Sequence, residues 1–385
     1  MIYLDAAATT FQKPRSVSRA VERAFFTMTT PGRGNYNPAR SAADTVFRCR
    51  EAAAEMFSVP SEEQVVFTMN ATHGLNIAIK SLVHPGDTVV ISGYEHNAVV
   101  RPLYALGGVH IKVAAAPLFD QRATLRAFER LVTPEVRAVI CNHVSNVFGF
   151  VLPIEKIAAL CRRRGVPLII DASQSAGVLP VSLQKTGAAF IAMPGHKGLY
   201  GPQGTGLLLC SENAATLIEG GTGSMSLRLE MPSFLPDRLE AGTQNIPGIA
   251  GLLEGIRFVR RRGVDRIASY EKALAELLKN GLRELPGVRV FGTEEETAQT
   301  GVVSFLVEGM DCERVAEELA GAGAAVRAGL HCAPLAHQTV GTVRHGTIRA
   351  SVAVWNTEEE IRQFLRMVEN CSQKELLAKN TENLF

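Results

Sequence analysis

One lysine stands in a glycine-rich segment that directly follows an apolar run. The segment AMPGHKGLYGPQGTG (192–206) contains Lys197 among glycines at positions 195, 198, 201, 204 and 206. The run FIAMPG (190–195) is typical of a strand, and strand ends over an α/β sheet form the ligand crevice. A lysine that forms a Schiff base must be closely packed yet reachable, and glycines allow a backbone to approach a bound molecule. The alternative is a glycine-rich turn that carries an ordinary lysine.

An acid stands at the end of the preceding strand. The apolar run in IIDASQSAG (169–177) ends at Asp171, and Gln174 follows three residues later. A carboxylate at the end of a buried strand costs free energy unless it meets a cation or strong donors. Asp171 precedes Lys197 by 26 positions, one strand–helix–strand step, so both side chains can enter one crevice. A pyridinium nitrogen would suit this acid. The alternative is an aspartate that caps a helix.

Two further strand ends lead into predicted helices that begin with polar residues. In NATHGLNIA (70–78), Thr72 and the free backbone amides of the helix start form a site for an anion such as a phosphate group. In GYEHNAVV (93–100), His96 could stack on an aromatic ring or move protons. An ordinary capped helix at Thr72 and a helix-capping histidine at His96 are the alternatives.

Strands that alternate with helices must position these residues. Between about Val65 and Cys210 the apolar runs are apolar at consecutive positions, as in strands covered by helices on both faces. The pattern predicts a large α/β domain with a mostly parallel, seven-stranded sheet. The strands are predicted at 65–68, 88–93, 110–114, 138–146, 167–173, 190–195 and 206–210, and the helices between them include 72–83, 121–131 and 154–164.

The chain changes character after residue 210. Glycine-rich loops precede a long helical pattern from about Ile249 to Leu285, with a break at 263–265. Beyond Pro286 the predicted order is strand, strand, helix, strand, strand, helix, which is that of a smaller α+β domain. The last helix is predicted over 357–370, and the polar tail after Cys371 is expected to fray. We therefore predict a large domain over 15–250 and a small domain over 251–385 that also contains residues 1–14.

The composition is that of a soluble globular protein. Of the 385 residues, 46% are hydrophobic and 20% are charged, with a formal net charge of +2. This balance gives no composition-level reason to expect nucleic acid or an anionic membrane surface as a partner. Seven cysteines without a CxxC pair predict reduced thiols in a cytoplasm rather than a disulfide framework or a zinc site. No signal peptide and no apolar run of membrane-spanning length is visible.

Eight segments together resemble the class V aminotransferase family and, within it, the cysteine desulfurase and selenocysteine lyase branch. The resemblance implies a fold-type-I enzyme that uses pyridoxal 5'-phosphate, with its active site at a homodimer interface. The segments, in the family's order, are YLDAAATT (3–10), NATHGLN (70–76), YEHNA (94–98), VSNVFG (144–149), DASQ (171–174), GHKGLYGPQGTG (195–206), RAGLHCAP (327–334) and TIRASVAVWNTEEEI (347–361).

The resemblance also implies a role for each matching position. Lys197 would bind the cofactor covalently and then move protons at the substrate's α-carbon, and Asp171 would pair with the pyridine nitrogen. The other cofactor contacts would be Gln174 at the ring hydroxyl, His96 on the ring and in acid–base steps, Ala71, Thr72 and His196 at the phosphate, and Thr243 from the other subunit. The substrate would be bound by Asn146, Arg349, Arg327 and Ala7, with the planar fork of Arg349 gripping the carboxylate.

The same resemblance assigns Cys332 as the sulfur acceptor. Cys332 lies in RAGLHCAPLAH (327–337), a polar loop with two histidines, whereas most of the other cysteines lie in apolar runs. Arg327 nearby, with His331 and His337 if they are protonated, would favour the thiolate. The alternative is that Cys332 is one ordinary thiol among seven.

The resemblance thus predicts a cysteine desulfurase that converts L-cysteine to L-alanine. Cys332 would carry the sulfur as a persulfide until a sulfur-acceptor protein takes it, for instance in iron–sulfur cluster assembly. The alternatives are a selenocysteine lyase, another lyase or aminotransferase with the same cofactor, or a non-catalytic sulfur-trafficking or iron–sulfur scaffold protein. The chain departs from the family's usual residues at Ala6, Leu330 and Pro194, and none of these is the lysine, aspartate, cysteine or arginine named above.

Overall fold

The computed structural model describes residues 1–32, 34–211, 214–295 and 298–382. Its strands are β1 (Ile2–Tyr3), β2 (Val65–Thr68), β3 (Thr88–Ser92), β4 (His110–Ala114), β5 (Ala138–Asn142), β6 (Leu168–Asp171), β7 (Phe190–Pro194), β8 (Gly206–Cys210), β9 (Val288–Phe291), β10 (Val302–Val307), β11 (Ala324–Ala325), β12 (Arg327–Gly329) and β13 (Thr347–Ser351). Its α-helices are α1 (Arg15–Thr27), α2 (Asn37–Phe57), α3 (Ala71–Leu82), α4 (Asn97–Leu106), α5 (Gln121–Leu131), α6 (Ile154–Arg164), α7 (Leu183–Thr186), α8 (Ile246–Arg262), α9 (Val264–Glu284), α10 (Cys312–Gly321), α11 (Pro334–Val340) and α12 (Glu358–Glu382).

The central sheet contains seven strands in the order β2-β8-β7-β6-β5-β3-β4. Within this sheet β8 runs antiparallel to its neighbours β2 and β7, and the other pairs are parallel. Every residue of β2, β5, β6, β7 and β8 is buried, because helices cover both faces. The predicted sheet and the positions of its strands are confirmed.

The strands align their polar ends at one edge of this sheet. Successive side chains of a strand point to opposite faces. In β5, Val139 and Cys141 therefore enter one apolar cluster, and Ala138 and Ile140 enter another. Asn142 at the end of β5 lies opposite Asp171 at the end of β6, and Asp171 lies opposite Ala192 in β7. The carboxyl ends of β5, β6 and β7 thus form one row.

Glycines end or separate several helices where the sequence predicts a stop. Helices α5 and α6 have the predicted bounds, and α6 ends at Gly165 with a φ of 66°. This left-handed conformation costs glycine little because it has no Cβ. Gly263, with a φ of 86°, separates α8 from α9 at the predicted break.

A second sheet lies in the C-terminal part of the chain. Its antiparallel order is β12-β13-β10-β9, and β1 pairs separately with β11. Ile2 and Leu4 join the apolar cluster that contains Val303, Phe305 and Ile348 from this sheet. The N-terminal residues therefore pack on the C-terminal part of the chain. The domain division at 250 and 251 stays a prediction.

In the C-terminal part of the chain, two helices differ from the sequence-based expectation. Helix α11 was not predicted, because its seven residues are too few for a clear periodicity; it begins with Pro334, a favourable first residue. Helix α12 continues to Glu382 rather than ending at 370, and the expected fraying after Cys371 stays a prediction. Its tail is rich in Glu, Lys, Leu and Ala, which are good helix formers. Among the described residues, none of the helices combines the length and apolar character that crossing a bilayer requires.

Candidate active site

A hollow of about 530 Å³ opens at the carboxyl ends of β5, β6 and β7. We call it the central hollow. The predicted site residues that line it are Ala71, Thr72, His96, Asn146, Asp171, Gln174, His196 and Lys197. The fold therefore brings together residues that lie far apart in the sequence.

Lys197 is half-buried directly after the end of β7. Burial lowers the pKa of Lys197 to about 8, and the nearby Asp171 opposes this effect. A lowered pKa leaves more of the amine neutral, and therefore nucleophilic, near pH 7. The N-terminal segment holds the adjacent backbone, since Thr10 Oγ1 and Lys13 Nζ donate to the carbonyl of His196 at 3.1 and 2.8 Å.

The glycines around Lys197 are required by close contacts within the protein. A Cβ on Gly198 would lie 2.4 Å from the carbonyl oxygen of Ala176, and one on Gly195 would lie 2.2 Å from Thr205 Oγ1. The approach of a backbone to a bound molecule is therefore not needed to explain these glycines. They allow the turn that carries Lys197 to pack against its neighbours.

Asp171 is a buried acid, with 4% of its surface exposed. The amide and the hydroxyl of Ser173 donate to its Oδ1 at 2.9 and 2.5 Å. Both of these hydrogen bonds end on Oδ1. No described residue donates to Oδ2, so Oδ2 can accept a hydrogen bond from a ligand. The helix-cap alternative is wrong, because Asp171 is the last residue of β6 and the next helix, α7, begins only at Leu183.

The start of α3 faces the central hollow as a site for an anion. Asn70 caps the helix by accepting from the amide of His73 at 2.9 Å, and the amides of Ala71 and Thr72 precede the first intrahelical hydrogen bond. His196 also lines the hollow, and its Nδ1 lies 3.0 Å from Thr9 Oγ1. Burial, with the Lys197 and Lys13 charges, lowers the pKa of His196 to about 4, so its ring is neutral at pH 7.

His96 both lines the hollow and caps α4. Its Nδ1 accepts from the amide of Ala98 at 3.0 Å, which places the proton of the neutral ring on Nε2. Burial lowers the pKa of His96. Glu95, which received no predicted role, is a fully buried acid that accepts from Ser92 Oγ and from the amide of Asn142, and burial raises its pKa to about 8. The feature of the sequence that could have indicated Glu95 is an acid next to His96, shortly after an apolar strand.

Cys332 is exposed, whereas the other six cysteines are buried. Its carbonyl accepts from the amide of Asn97 at 2.7 Å, and the Asn146 side chain donates to the carbonyl of His331 at 2.8 Å. His331 and Cys332 have φ angles of 49° and 54°. Such left-handed residues cost about 1 kcal/mol or more each, so the surrounding contacts must hold them. The loop is therefore held with the backbone of Cys332 beside Asn97, the residue that follows His96.

His331 in this loop and His337 in α11 carry no positive charge near neutral pH, so the condition under which they would favour the thiolate is not met. Burial and the nearby Arg349 charge lower the pKa of His331 to about 2, and burial lowers that of His337 to about 4. His331 Nε2 lies 3.0 Å from the carbonyl of Thr347, and His337 Nδ1 lies 2.7 Å from Thr342 Oγ1. These contacts tie His331 to β13 and His337 to the segment that follows α11.

The two predicted substrate arginines meet one carboxylate. Arg349 donates from Nη2 to Asp5 Oδ1 at 2.7 Å and from Nη1 to the Asn146 carbonyl at 2.9 Å. Arg327 Nε lies 3.2 Å from Asp5 Oδ2. Asp5 lies in the segment YLDAAATT (3–10) but received no predicted role. Its position as an acid in an apolar stretch was the only feature of the sequence that could have indicated one.

Two predicted residues occupy different positions relative to the hollow. Ala7 is buried and lines a neighbouring hollow together with Lys197. Its carbonyl accepts from Gln174 Nε2 and its amide donates to Ser351 Oγ, both at 2.9 Å. Thr243 instead lines a separate hollow with Met69 and Glu240. Its proposed contact from a second subunit stays a prediction.

The chain is similar to curated proteins along almost its whole length. It is 36% identical over 389 residues to a probable cysteine desulfurase of Mycolicibacterium paratuberculosis, covering 97% of this chain and 56% of that protein. A probable cysteine desulfurase of Xylella fastidiosa (strain Temecula1) is 35% identical, with 95% of this chain and 89% of that protein covered. The chain thus spans 56% and 62% of the lengths of two mycobacterial relatives.

Solved structures show the same fold. The apo cysteine desulfurase from Thermococcus onnurineus matches with a TM-score of 0.89 at 30% identity, over 97% of this chain and 95% of that one. The Escherichia coli cysteine desulfurase CsdA matches with a TM-score of 0.84 at 27% identity, over 96% and 94%. The family model described as aminotransferase class-V matches residues 2–364. With its half-buried lysine and its buried aspartate after the ends of neighbouring parallel strands, the chain belongs to the class-V aminotransferase family.

Proposed function

We propose that the chain is a pyridoxal-phosphate-dependent cysteine desulfurase that converts L-cysteine to L-alanine. Cys332 carries this proposal: its thiol is exposed, and its carbonyl accepts from the amide of Asn97, the neighbour of His96, which lines the hollow with Lys197 and Asp171. The names of the curated relatives and of the matched structures support it.

The residues of the central hollow fit pyridoxal 5'-phosphate. Asp171 would hold the pyridine nitrogen through Oδ2, and Lys197 would bind the cofactor through its amine. The α3 start and His196 suit the phosphate, while His96 and Gln174 suit the ring face and its hydroxyl. When bound, the cofactor withdraws electrons from the substrate's α-carbon and so weakens the bonds there.

The chain's own residues then supply proton transfer and sulfur capture. Lys197 accepts the proton from the α-carbon and later returns it, which a pKa of about 8 permits in both directions. The Cys332 thiolate attacks the substrate's sulfur, so that an S–S bond forms as the Cβ–S bond breaks and Cβ takes up a proton. Cysteine and one thiol thus give alanine and one persulfide, with no external oxidant or reductant.

We also propose a homodimer in which Thr243 of each subunit completes the phosphate end of the other subunit's site. The exposed position of Cys332 suits transfer of its outer sulfur to an acceptor protein. Seven reduced cysteines favour a reducing compartment such as the cytoplasm.

Two variants and one control test the proposed activity. Lys197→Ala is expected to lose the visible absorbance of the lysine-bound cofactor. Cys332→Ala is expected to keep that absorbance and to lose alanine formation from L-cysteine by about a hundredfold or more. Cys371→Ala removes a buried thiol from α12 as the matched control and is expected to keep both. Normal turnover by Cys332→Ala would defeat the persulfide step. The same assay with L-selenocysteine measures the preference between the two chalcogens.

A further inference from the structure

A second large hollow lies on the opposite face of the central sheet from the central hollow. We call it the distal hollow; its volume is about 930 Å³. Ile170 and His143 line the distal hollow, whereas their neighbours Asp171 and Asn142 line the central hollow. Successive side chains of a strand point to opposite faces. The two hollows therefore lie on either side of the ends of β5 and β6, and they share no lining residue.

The wall of the distal hollow is largely apolar. It is built by the end of α2, the start of α6, the segment before α7 and the start of α9. Its apolar side chains include members of the cluster that also contains Cys141, namely Phe57, Ile154, Ile170 and Val181. Such a wall favours the apolar part of a ligand.

His143 is a buried polar side chain in this wall. It is 8% exposed, and its ring nitrogens have no hydrogen-bond partner among the described residues. Its backbone is fixed, because its amide donates to the carbonyl of Asp171 and its carbonyl accepts from the amide of Leu152, both at 2.9 Å. A buried polar group without a partner costs free energy. The ring is therefore available to a molecule that enters the hollow.

The charges around His143 disfavour an ion in the distal hollow. Burial lowers the pKa of His143 to about 4, with the Glu155 charge opposing this effect, so the ring is neutral at pH 7. Lys185 Nζ lies 2.7 Å from Glu155 Oε1, and both side chains are more than half exposed. Asp265 is exposed as well, and the other lining residues are uncharged. A buried ion would thus lose its hydration without gaining a free counter-charge.

We propose that the distal hollow is a binding site for an uncharged organic molecule with an apolar body and one hydroxyl group. The neutral ring of His143 carries one donor and one acceptor, and a hydroxyl group can pair with either. The apolar body would pack against Phe57, Ile154 and Ile170. This site is independent of the proposed function, since no residue of the central hollow takes part in it.

Phenol and toluene are matched probes for this site, because one has a hydroxyl group where the other has a methyl group. Each is titrated into the holoenzyme carrying isotope-labelled isoleucine methyl groups, and the resonances are followed by NMR. Phenol is expected to shift the resonances of Ile154 and Ile170 in a saturable way. It is expected to shift that of Ile140, which lies in the apolar cluster on the opposite face, far less. Absence of a saturable shift at Ile154 and Ile170 would overturn the proposal.

Three variants test the role of His143. His143→Phe removes the donor and the acceptor, so the ratio of phenol affinity to toluene affinity is expected to fall about tenfold. His143→Gln keeps a donor and an acceptor, and its ratio is expected to stay within about threefold of wild type. His84→Phe replaces an exposed histidine outside the hollow and is expected to leave the ratio unchanged.

A ratio within about twofold of wild type in His143→Phe would overturn the pairing of His143 with the hydroxyl group. An equal fall in His143→Gln would overturn it as well. His143→Leu also lacks both groups and provides the same comparison should His143→Phe not fold. None of these titrations involves turnover of cysteine, so their outcome is separate from that of the proposed function.

Discussion

Glu271 and Tyr200 form a buried pair on another side of Lys197. Glu271 is 5% exposed, and its Oε1 accepts from the Tyr200 hydroxyl at 3.4 Å. Both residues and Lys197 line a second hollow of about 410 Å³. Burial raises the pKa of Glu271 from 4.5 to about 8, with the Arg262 charge opposing the shift. The carboxyl group is therefore protonated in the folded protein at pH 7.

This protonated carboxyl predicts a pH-dependent stability. Between about pH 4.5 and 8 the unfolded chain loses a proton that the native state keeps, so stability falls as the pH rises. Glu271→Gln removes this effect, and its melting temperature is expected to gain several degrees relative to wild type between pH 5 and pH 8. Calorimetric melting at both pH values measures the gain.

An exposed acid provides the control for that measurement. Glu129 in α5 is exposed, so Glu129→Gln is expected to change the melting temperature equally at both pH values. If Glu271→Gln behaves in the same way, the carboxyl group ionises normally in the folded protein.

The turn that carries Lys197 packs against the turn after β6, and Gly177 makes this contact possible. Gly177 has a φ of 87°, and a Cβ there would lie 2.1 Å from the carbonyl oxygen of Gly198. Backbone atoms cannot move aside as the end of a flexible side chain can. The two turns hold Asp171 and Lys197 at the same edge of the sheet, so this contact also sets the spacing of the site.

Gly177→Ala is therefore expected to lower the free energy of unfolding by about 3 kcal/mol or more. Urea denaturation measures this loss. Gly321→Ala, at the end of α10 with nothing within 4 Å of the added methyl group, is the matched control and is expected to be neutral or slightly stabilising. A cost below about 1 kcal/mol for Gly177→Ala would show that the two turns separate easily.

At the scale of the whole molecule, the proposed homodimer predicts complementation between subunits, because Thr243 lines a hollow other than the central hollow of its own chain. Lys197→Ala and Thr243→Arg proteins, each inactive alone, are unfolded, mixed and refolded together. Half of the randomly formed dimers are mixed, and each mixed dimer has one intact site. Alanine formation from cysteine is therefore expected to recover to about a quarter of the wild-type value. No recovery would mean that Thr243 serves the site of its own chain.

Local patterns were sufficient to predict much of the fold. The consecutive apolar residues of runs such as 138–142 and 168–171 predicted buried strands, because only a sheet covered on both faces buries every residue. The alternation of these strands with helices predicted that Asp171 and Lys197 share a crevice. Helix α11 escaped prediction because seven residues show too little periodicity.

By itself, the sequence determined the sheet, the lysine and aspartate at its edge, and the family resemblance, since these depend on residue type and spacing. Only the tertiary structure decided the charges of the site. Asp5 meets Arg349 across 344 positions of the chain, and burial leaves His331 and His337 uncharged where the sequence suggested cations. Ionisation depends on solvent exposure and on the nearest charges, and both arise from contacts between distant segments.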